Sequence, residues 1–303
     1  MDSYNIDMDL RVFEYYLAIA REETISGAAE TLHVSQPTLS RQMKELEERL
    51  GKKLFIRGNR KIILTEEGMI LRKRAQEILD LVKKTENEIS TADDFSEGDI
   101  YIGCGETKNF LFISDIMKDM QKSYPKVRFH IIAGDSKDVL EHLDKGLYDF
   151  GLIYDDVDLN KYERIILPDF DRLGILMGKD DELAKKEYIE ASDIMDRPLI
   201  VNRNLKDDDM IMKWFKSDLN SLKIAGTYNL LYNASLMTMS GIGYSLALEG
   251  IVDTSKDAEL CFRPLRPELR SNLRFIYKRY QIFSKAAEKF LEMVYERLED
   301  KAS

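Results

Sequence analysis

The chain has 303 residues, 44% of them hydrophobic and 33% charged, with 6 Pro and 16 Gly. That composition excludes collagen-like and wholly disordered chains and fits two or three domains, each with its own core. No apolar run approaches the roughly 18 residues of a membrane helix, Met1–Leu10 lacks the apolar block of a signal peptide, and two Cys with three His make neither a disulfide framework nor a zinc site. No metal, cofactor or membrane partner is therefore expected, and the expected compartment is the cytoplasm.

The net charge of −10 argues by itself against a nucleic-acid partner, but it is unevenly spread. Residues 35–61 hold eight Lys/Arg against three acids, a local +5, and residues 66–97 hold five bases and nine acids, a local −4. A basic segment on an acidic chain suits a small DNA-contacting module joined to a partner domain; a solvated charged face is the bland alternative.

Leu10, Phe13, Leu17 and Ala20 recur at helical spacing, which predicts a helix over Leu10–Arg21. Thr24 can cap a second helix carrying Ala28, Ala29 and Leu32, and the small side chains of the two Ala allow a close crossing. Ser35 is an N-cap signal for a third helix, and Gln36 and Pro37 fit its first turn. Leu39, Met43, Leu46 and Leu50 form its apolar stripe, and Gly51 ends it. The opposite face offers Gln36, Pro37, Ser40, Arg41 and Lys44, which is a helix-turn-helix pattern. Gln reads adenine edges, Arg reads guanine or clamps phosphate, and Pro37 can touch a thymine methyl. Two β-prone runs, 53–57 and 61–64, joined by Gly58-Asn59-Arg60, predict a hairpin wing presenting Arg57, Arg60 and Lys61 to phosphates or the minor groove. A plain helical bundle with a basic rim would not need all these features together.

These residues resemble the winged helix-turn-helix of LysR-type transcriptional regulators over Phe13 to Gly68. The resemblance runs through Ala28-Ala29-Glu30-Thr31-Leu32-His33-Val34-Ser35-Gln36-Pro37, Ser40-Arg41-Gln42, Leu46-Glu47 to Leu50-Gly51, Leu54-Phe55 with Arg57, and Leu64-Thr65 to Gly68. It implies DNA contacts by Gln36, Pro37, Thr38, Ser40 and Arg41, and by Arg57 from the wing; Ser35, Lys44, Arg60 and Lys61 join the DNA-binding candidates from the residue pattern itself. Gly27 departs from the pattern, where a helix former is commoner.

Thr65 reads as the cap of a long helix running to about Thr91, with Glu66 and Glu67 favoured by the helix dipole. Leu71, Ala75, Ile78, Val82, Thr85 and Ile89 follow at alternating spacings of four and three, the pattern of a paired-helix seam. Packing on the chain's own C-terminal part is the alternative. The resemblance favours a homodimer through this helix, with a homotetramer as a further expectation and RNA polymerase as a partner.

After a polar hinge at 92–99, strand and helix alternate as βαβαβ over 100–154, which implies parallel pairing. A second series follows with strands at 173–177, 199–201, 224–228 and 244–248 and helices at 206–218 and 230–240; a strand at 273–278 and a helix at 284–297 close the chain. This describes two α/β lobes joined by two crossings. Asp99-Ile100-Tyr101-Ile102-Gly103, Gly134-Asp135-Ser136, Asp149-Phe150-Gly151 and Gly241-Ile242-Gly243 resemble LysR-type effector domains, which implies a periplasmic-binding-protein-like fold. Leu248-Glu249 in place of a usual Leu-Pro, and a bulky Tyr244, are departures that bear on the shape of the cleft.

The expected architecture is thus α/β: a winged helix-turn-helix DNA-binding domain (1–65), a linker helix (66–92) and a two-lobed effector-binding domain (93–303). Lobe I comprises about 98–165 and 270–303, and lobe II about 166–269. Ligands of parallel sheets bind beyond the carboxyl ends of strands. Candidate effector contacts are therefore Gly105, Glu106, Thr107, Asp135, Ser136, Asn202, Arg203 and Asn229, with simple helix capping as the alternative for each hydroxyl. Arg203, Lys108 and Lys137 hint at an anionic effector such as a carboxylate. Neither a Gly-x-Ser-x-Gly elbow nor a phosphate loop is present, so no enzyme is expected. Cys104 and Cys261 read as buried thiols, with a redox-sensing pair as the alternative. The functional expectation is an effector-responsive regulator that binds double-stranded promoter DNA; a solute-binding protein is the alternative.

Overall fold

The computed structural model describes residues 9–58, 61–90, 96–154, 157–203, 209–216 and 221–302. The chain forms two compact units, Met1–Ser90 and Thr91–Ser303.

In the first unit α1 (Leu10–Glu22) starts at Asp9, whose carboxylate accepts the Arg11 N–H at 3.0 Å. The second helix, α2 (Ile25–Thr31), starts at Thr24, whose hydroxyl accepts the Gly27 N–H at 3.1 Å. A Cβ at Gly27 would lie 2.8 Å from that hydroxyl, so the glycine keeps the cap uncrowded. The third, α3 (Gln36–Leu50), has Ser35 as its cap, Pro37 in its first turn and Gly51 at φ +63° as its stop. Of the expected stripe of α1, Phe13 is buried, Leu17 and Ala20 are half-buried and Leu10 is exposed; the large side chains buried on this helix are Phe13, Tyr16 and Ile19. These three meet Ala28 and Ala29 of α2 and Leu39, Met43 and Leu46 of α3 in one core. The wing strands β1 (Phe55–Arg57) and β2 (Ile62–Leu64) pair antiparallel, Phe55 opposite Leu64. The long helix α4 (Glu66–Ser90) is capped by Thr65, whose hydroxyl accepts the Gly68 N–H at 2.9 Å and donates to the Lys53 carbonyl at 2.7 Å.

Among its described residues the second unit has nine strands in one connected sheet: β3 (Glu97–Cys104), β4 (Lys126–Ala133), β5 (Phe150–Ile153), β6 (Tyr162–Gly178), β7 (Leu199–Asn202), β8 (Ile224–Tyr228), β9 (Tyr244–Leu248), β10 (Leu260–Pro264) and β11 (Arg270–Lys278). The order is β4-β3-β5-β11-β6-β9-β7-β8, with β10 also on β6. Parallel pairing holds within β4-β3-β5 and within β9-β7-β8, as the alternation predicts. The sheet as a whole is mixed, because β11 and β6 run antiparallel to their neighbours. The expected short strand 173–177 is the second half of the 17-residue β6. Its first half pairs with β11 and its second half with β9 and β10, so one strand spans both lobes. Strand β3 begins at Glu97, inside the expected hinge; residues 91–95 lie outside the described residues.

Helices α5 (Phe110–Ser123), α6 (Ser136–Asp144) and α10 (Lys285–Ala302) cover lobe I, whose core holds Ile100, Ile113, Phe150, Phe275 and Phe290. Burying each such side chain stabilises the lobe by about 1.5–3 kcal/mol. The core of lobe II gathers Ile175, Leu199, Trp214, Phe215 and Leu265 around the short helices α7 (Ala191–Ile194) and α8 (Asp209–Phe215). The predicted helix 206–218 corresponds to α8; residues 204–208 and 217–220 lie outside the described residues. The ninth helix, α9 (Leu231–Met239), packs on a separate cluster with Ile200 and Ala247.

Candidate functional site

The outer face of α3 is the first site. Ser35 Oγ accepts the Thr38 N–H at 3.3 Å and shares a hydrogen bond with the Thr38 hydroxyl at 2.8 Å, so this serine is committed to starting the helix. Gln36, Pro37, Thr38, Arg41 and Lys44 are exposed and Ser40 is half-buried. Among the described residues Arg41 and Lys44 form ion pairs only at i,i+4, with Glu45 at 3.6 Å and Glu48 at 3.5 Å. Exposed pairs of this kind stabilise by about 0.5 kcal/mol or less, so both cations can exchange their carboxylate for phosphate or a base edge. Glu47 lies on a different face. Its Oε1 accepts the Leu54 N–H at 2.9 Å and the Phe55 N–H at 3.4 Å, which fixes the wing to α3. Burial works against its charge, yet the bonds from Lys53, Leu54 and Phe55 hold its carboxyl below the usual value. On the far strand of the wing, the Ile62 N–H donates to the Glu23 carbonyl at 2.7 Å, and Lys61 pairs with the Glu23 carboxylate. Arg60 and the side chain of Arg57 lie outside the described residues.

The second site lies in the other unit. The carboxyl ends of β3, β4, β7 and β8 converge on a cavity of about 260 Å³ between the lobes. Gly105, Glu106, Asp135, Ser136, Asn202 and Asn229 line it, with an apolar bed that includes Leu152, Ile153, Leu173, Leu246 and Ile251. Tyr154 and Tyr228 complete the wall, but their hydroxyls are committed elsewhere. Tyr154 donates to Asp171 at 2.6 Å and Tyr228 to the Leu246 carbonyl at 2.7 Å. Burial, then the nearby carboxylates Asp171 and Glu106 respectively, pushes both phenols up, so they stay neutral.

Two of the expected effector contacts are placed otherwise. Thr107 does not line the cavity; its hydroxyl donates to the fully buried Asp171 at 2.7 Å. Arg203 does not line it either; its guanidinium spans from lobe II to Asp135 at 2.7 Å and Asp138 at 3.1 Å on lobe I. Lys108 is held by Glu249 at 3.0 Å, and Lys137 is exposed away from the lining. Glu249, a departure from the family pattern, also grips Arg172 at 2.9 and 2.7 Å. Tyr244, the other departure, lies outside this cavity and lines a separate one in lobe II, where it donates to Asp181 at 2.7 Å. Asp171 and Tyr154 are parts of the cleft region that sequence reasoning did not single out. Each sits in or beside a strand and acts through a partner distant in sequence.

Two family models match the chain: a bacterial regulatory helix-turn-helix protein of the lysR family over residues 10–69, and a LysR substrate binding domain over residues 94–299. The chain belongs to the LysR family. This LysR-type protein is a DNA-binding transcriptional regulator carrying a substrate-binding domain. The hydrogen peroxide-inducible genes activator of Pectobacterium carotovorum subsp. carotovorum is 26% identical over 279 residues, 89% of this chain and 90% of that protein. The HTH-type transcriptional activator CmpR of Synechocystis sp. is 26% identical over 297 residues, 94% of each chain. Among solved structures, the LysR family regulator CbnR superposes with a TM-score of 0.74 at 19% identity, covering 96% of this chain and 99% of that one. Full-length CbnR complexed with its target DNA gives 0.73 at 20% identity, covering 96% and 100%. At such identities these structures speak for the fold. No helix among the described residues is long and apolar enough to cross a membrane.

Proposed function

We propose that this LysR-type regulator inserts α3 into the major groove of promoter DNA, with Gln36, Pro37, Thr38, Ser40 and Arg41 at base edges and Lys44 on phosphate. Ser35 sets the start of the helix. Arg57, Arg60 and Lys61 of the wing meet the flanking backbone. Two chains pair through α4 and present two recognition helices to a two-fold site. Tetramers and contact with RNA polymerase extend the same reading. An effector held between the lobes biases their closure, and it shifts DNA binding only to the extent that it prefers one arrangement of the assembly.

The observation that carries the reading is the exposed polar and basic face of α3, opposite the buried Leu39, Met43 and Leu46. The relatives are regulators, and the cleft offers amides, carboxylates and an apolar bed, which supports a binding role and not an enzymatic one. The same role places the protein in the cytoplasm, with the chromosome. The peroxide response named for one relative is not extended to this chain. Burial pushes the Cys104 thiol up to about 11 and Cys261 is raised too, whereas peroxide chemistry needs a thiolate. The reading is tested by crosslinking the protein to DNA in cells and sequencing what it retains. Recovery of discrete promoter sites with a shared two-fold motif is expected; retention with no sequence preference rejects it.

A further inference from the structure

The cleft is built with an unusual balance of charge. Its described lining contains two carboxylates, Glu106 and Asp135, and no Lys or Arg. Asp135 already has partners: one oxygen accepts the Asp138 N–H at 2.9 Å and the other accepts Arg203 at 2.7 Å. Arg203 in turn is shared with Asp138, so it brings one positive charge to two negative ones. Among the described residues no Lys or Arg forms an ion pair with Glu106; its Oε2 accepts the backbone N–H of Leu231, the first residue of α9. The N-terminus of that nine-residue helix, the natural seat for an incoming anion, is therefore filled by the chain's own carboxylate from the opposite lobe. A carboxylate ligand would have to displace Glu106 and then lie beside it. A cation meets the reverse situation. An ionised carboxylate accepts up to about four hydrogen bonds, so Glu106 keeps acceptor capacity for a charged donor. Around it stand two neutral tyrosines and an apolar bed, surfaces that suit the hydrocarbon body and the charge of an organic cation.

We propose that the effector of this cleft is a small organic cation, an ammonium or guanidinium group on an apolar body, with Glu106 as its counter-ion and Leu231 as the anchor that holds Glu106 in place. This rests on the reading that the cleft is the effector site and reverses the anionic expectation drawn from Arg203, Lys108 and Lys137, since the first two are already paired with acids and the third lies off the lining. The volume of about 260 Å³ lies just below the usual range for ligand sites, roughly 300–1,000 Å³, which selects a compact amine.

The test uses the full-length protein and three probes of one shape: 2-phenylethylamine, 2-phenylethanol and phenylacetate, with putrescine and agmatine as further cations. Binding is followed by calorimetry and thermal shift at neutral pH. A cation is expected to bind best, and Glu106→Gln, which keeps an acceptor for the Leu231 N–H, is expected to weaken it at least ten-fold while improving phenylacetate. Stronger binding of phenylacetate than of the amine, no binding by any of the three cations, or an amine affinity unchanged in Glu106→Gln overturns the proposal. If the variant does not fold, the wild-type ratio of amine to carboxylate decides. Sequence-specific DNA retention, measured on the same wild-type preparation, separates a wrong effector class from a wrong assignment of the protein as a regulator.

Discussion

The Tyr16 hydroxyl donates to the Gly68 carbonyl at 2.5 Å across 52 residues of sequence. Tyr16 is fully buried, and burial pushes its phenol up, so it remains a donor. A Cβ on Gly68 would lie 2.2 Å from the Leu54 carbonyl oxygen and 3.1 Å from the Tyr16 hydroxyl. Helix α1, the lead into the wing and the start of α4 thus meet at a point that admits only glycine. Gly68→Ala is expected to destabilise the first unit by about 1–3 kcal/mol through overpacking. Tyr16→Phe is expected to lose about 1–2 kcal/mol with the buried bond. Hydrogen exchange at the α1 amides reports this unit apart from the other, and unchanged protection in Gly68→Ala would reject the close approach.

Arg41 separates recognition from stability. Its pair with Glu45 is exposed and 3.6 Å long, so Arg41→Ala should change stability by less than about 0.5 kcal/mol. Promoter affinity should fall by about 1–3 kcal/mol, roughly five- to 150-fold, with relaxed preference at one base position. Lys44→Ala should weaken all sequences alike and lower the salt slope by about one. Gel-shift titrations at several salt concentrations measure both. Wild-type affinity in Arg41→Ala would take that residue off the DNA.

The contrast between the two units shows where sequence reasoning reaches and where it stops. For α3 each signal is local: the Ser35 cap, Pro37 in the first turn, the Leu39, Met43 and Leu46 stripe, and Gly51 at the end. For α1 the helix and Phe13 were legible but the rest of its buried face was not, because apolar residues lie on two faces and packing against Ala28, Ala29 and Leu39 selects Tyr16 and Ile19 beside Phe13. In the cleft, strand ends found Glu106, Asp135, Ser136, Asn202 and Asn229. What those side chains grip was not readable: Thr107 turns to Asp171, 64 residues on, and Arg203 to Asp135, 68 residues back. Strand β6 was halved in the reading because its first part, between Tyr162 and Arg172, is polar at many positions and pairs only with the distant β11.

The seam on α4 is only partly used by the chain itself. Ala75 is buried and Leu71 half-buried in the first unit's core, while Ile78 and Ile89 stay 38% and 72% exposed. Exposed apolar residues continuing a heptad need a partner helix. Ile78→Glu with Val82→Glu is expected to give monomers by light scattering and to weaken binding to two-fold sites more than to half-sites. A dimer that survives both substitutions would place the pairing surface elsewhere.

Glu249 makes the junction of Lys108 and Arg172 sensitive to acid. It accepts from Arg172 Nε at 2.9 Å, Arg172 Nη2 at 2.7 Å and Lys108 Nζ at 3.0 Å, joining the loop after β3 to β6 and to the end of β9. Partial burial raises its carboxyl, but the bonds from Arg172 and Lys108 outweigh that and hold it below the ordinary value. A carboxyl depressed in the folded state stabilises fully above its unfolded pKa of about 4.3, and that contribution disappears as pH falls through the lower folded value. Glu249→Gln should therefore be less stable than wild type at pH 7 by about 1 kcal/mol, a figure discounted for the exposed side of Arg172. The gap should stay level down to about pH 5 and close towards pH 3. Thermal unfolding of the two proteins across that range measures it. A gap that is absent at pH 7, or that persists unchanged at pH 3, would show that Glu249 acts by packing alone and does not tie the lobes through charge.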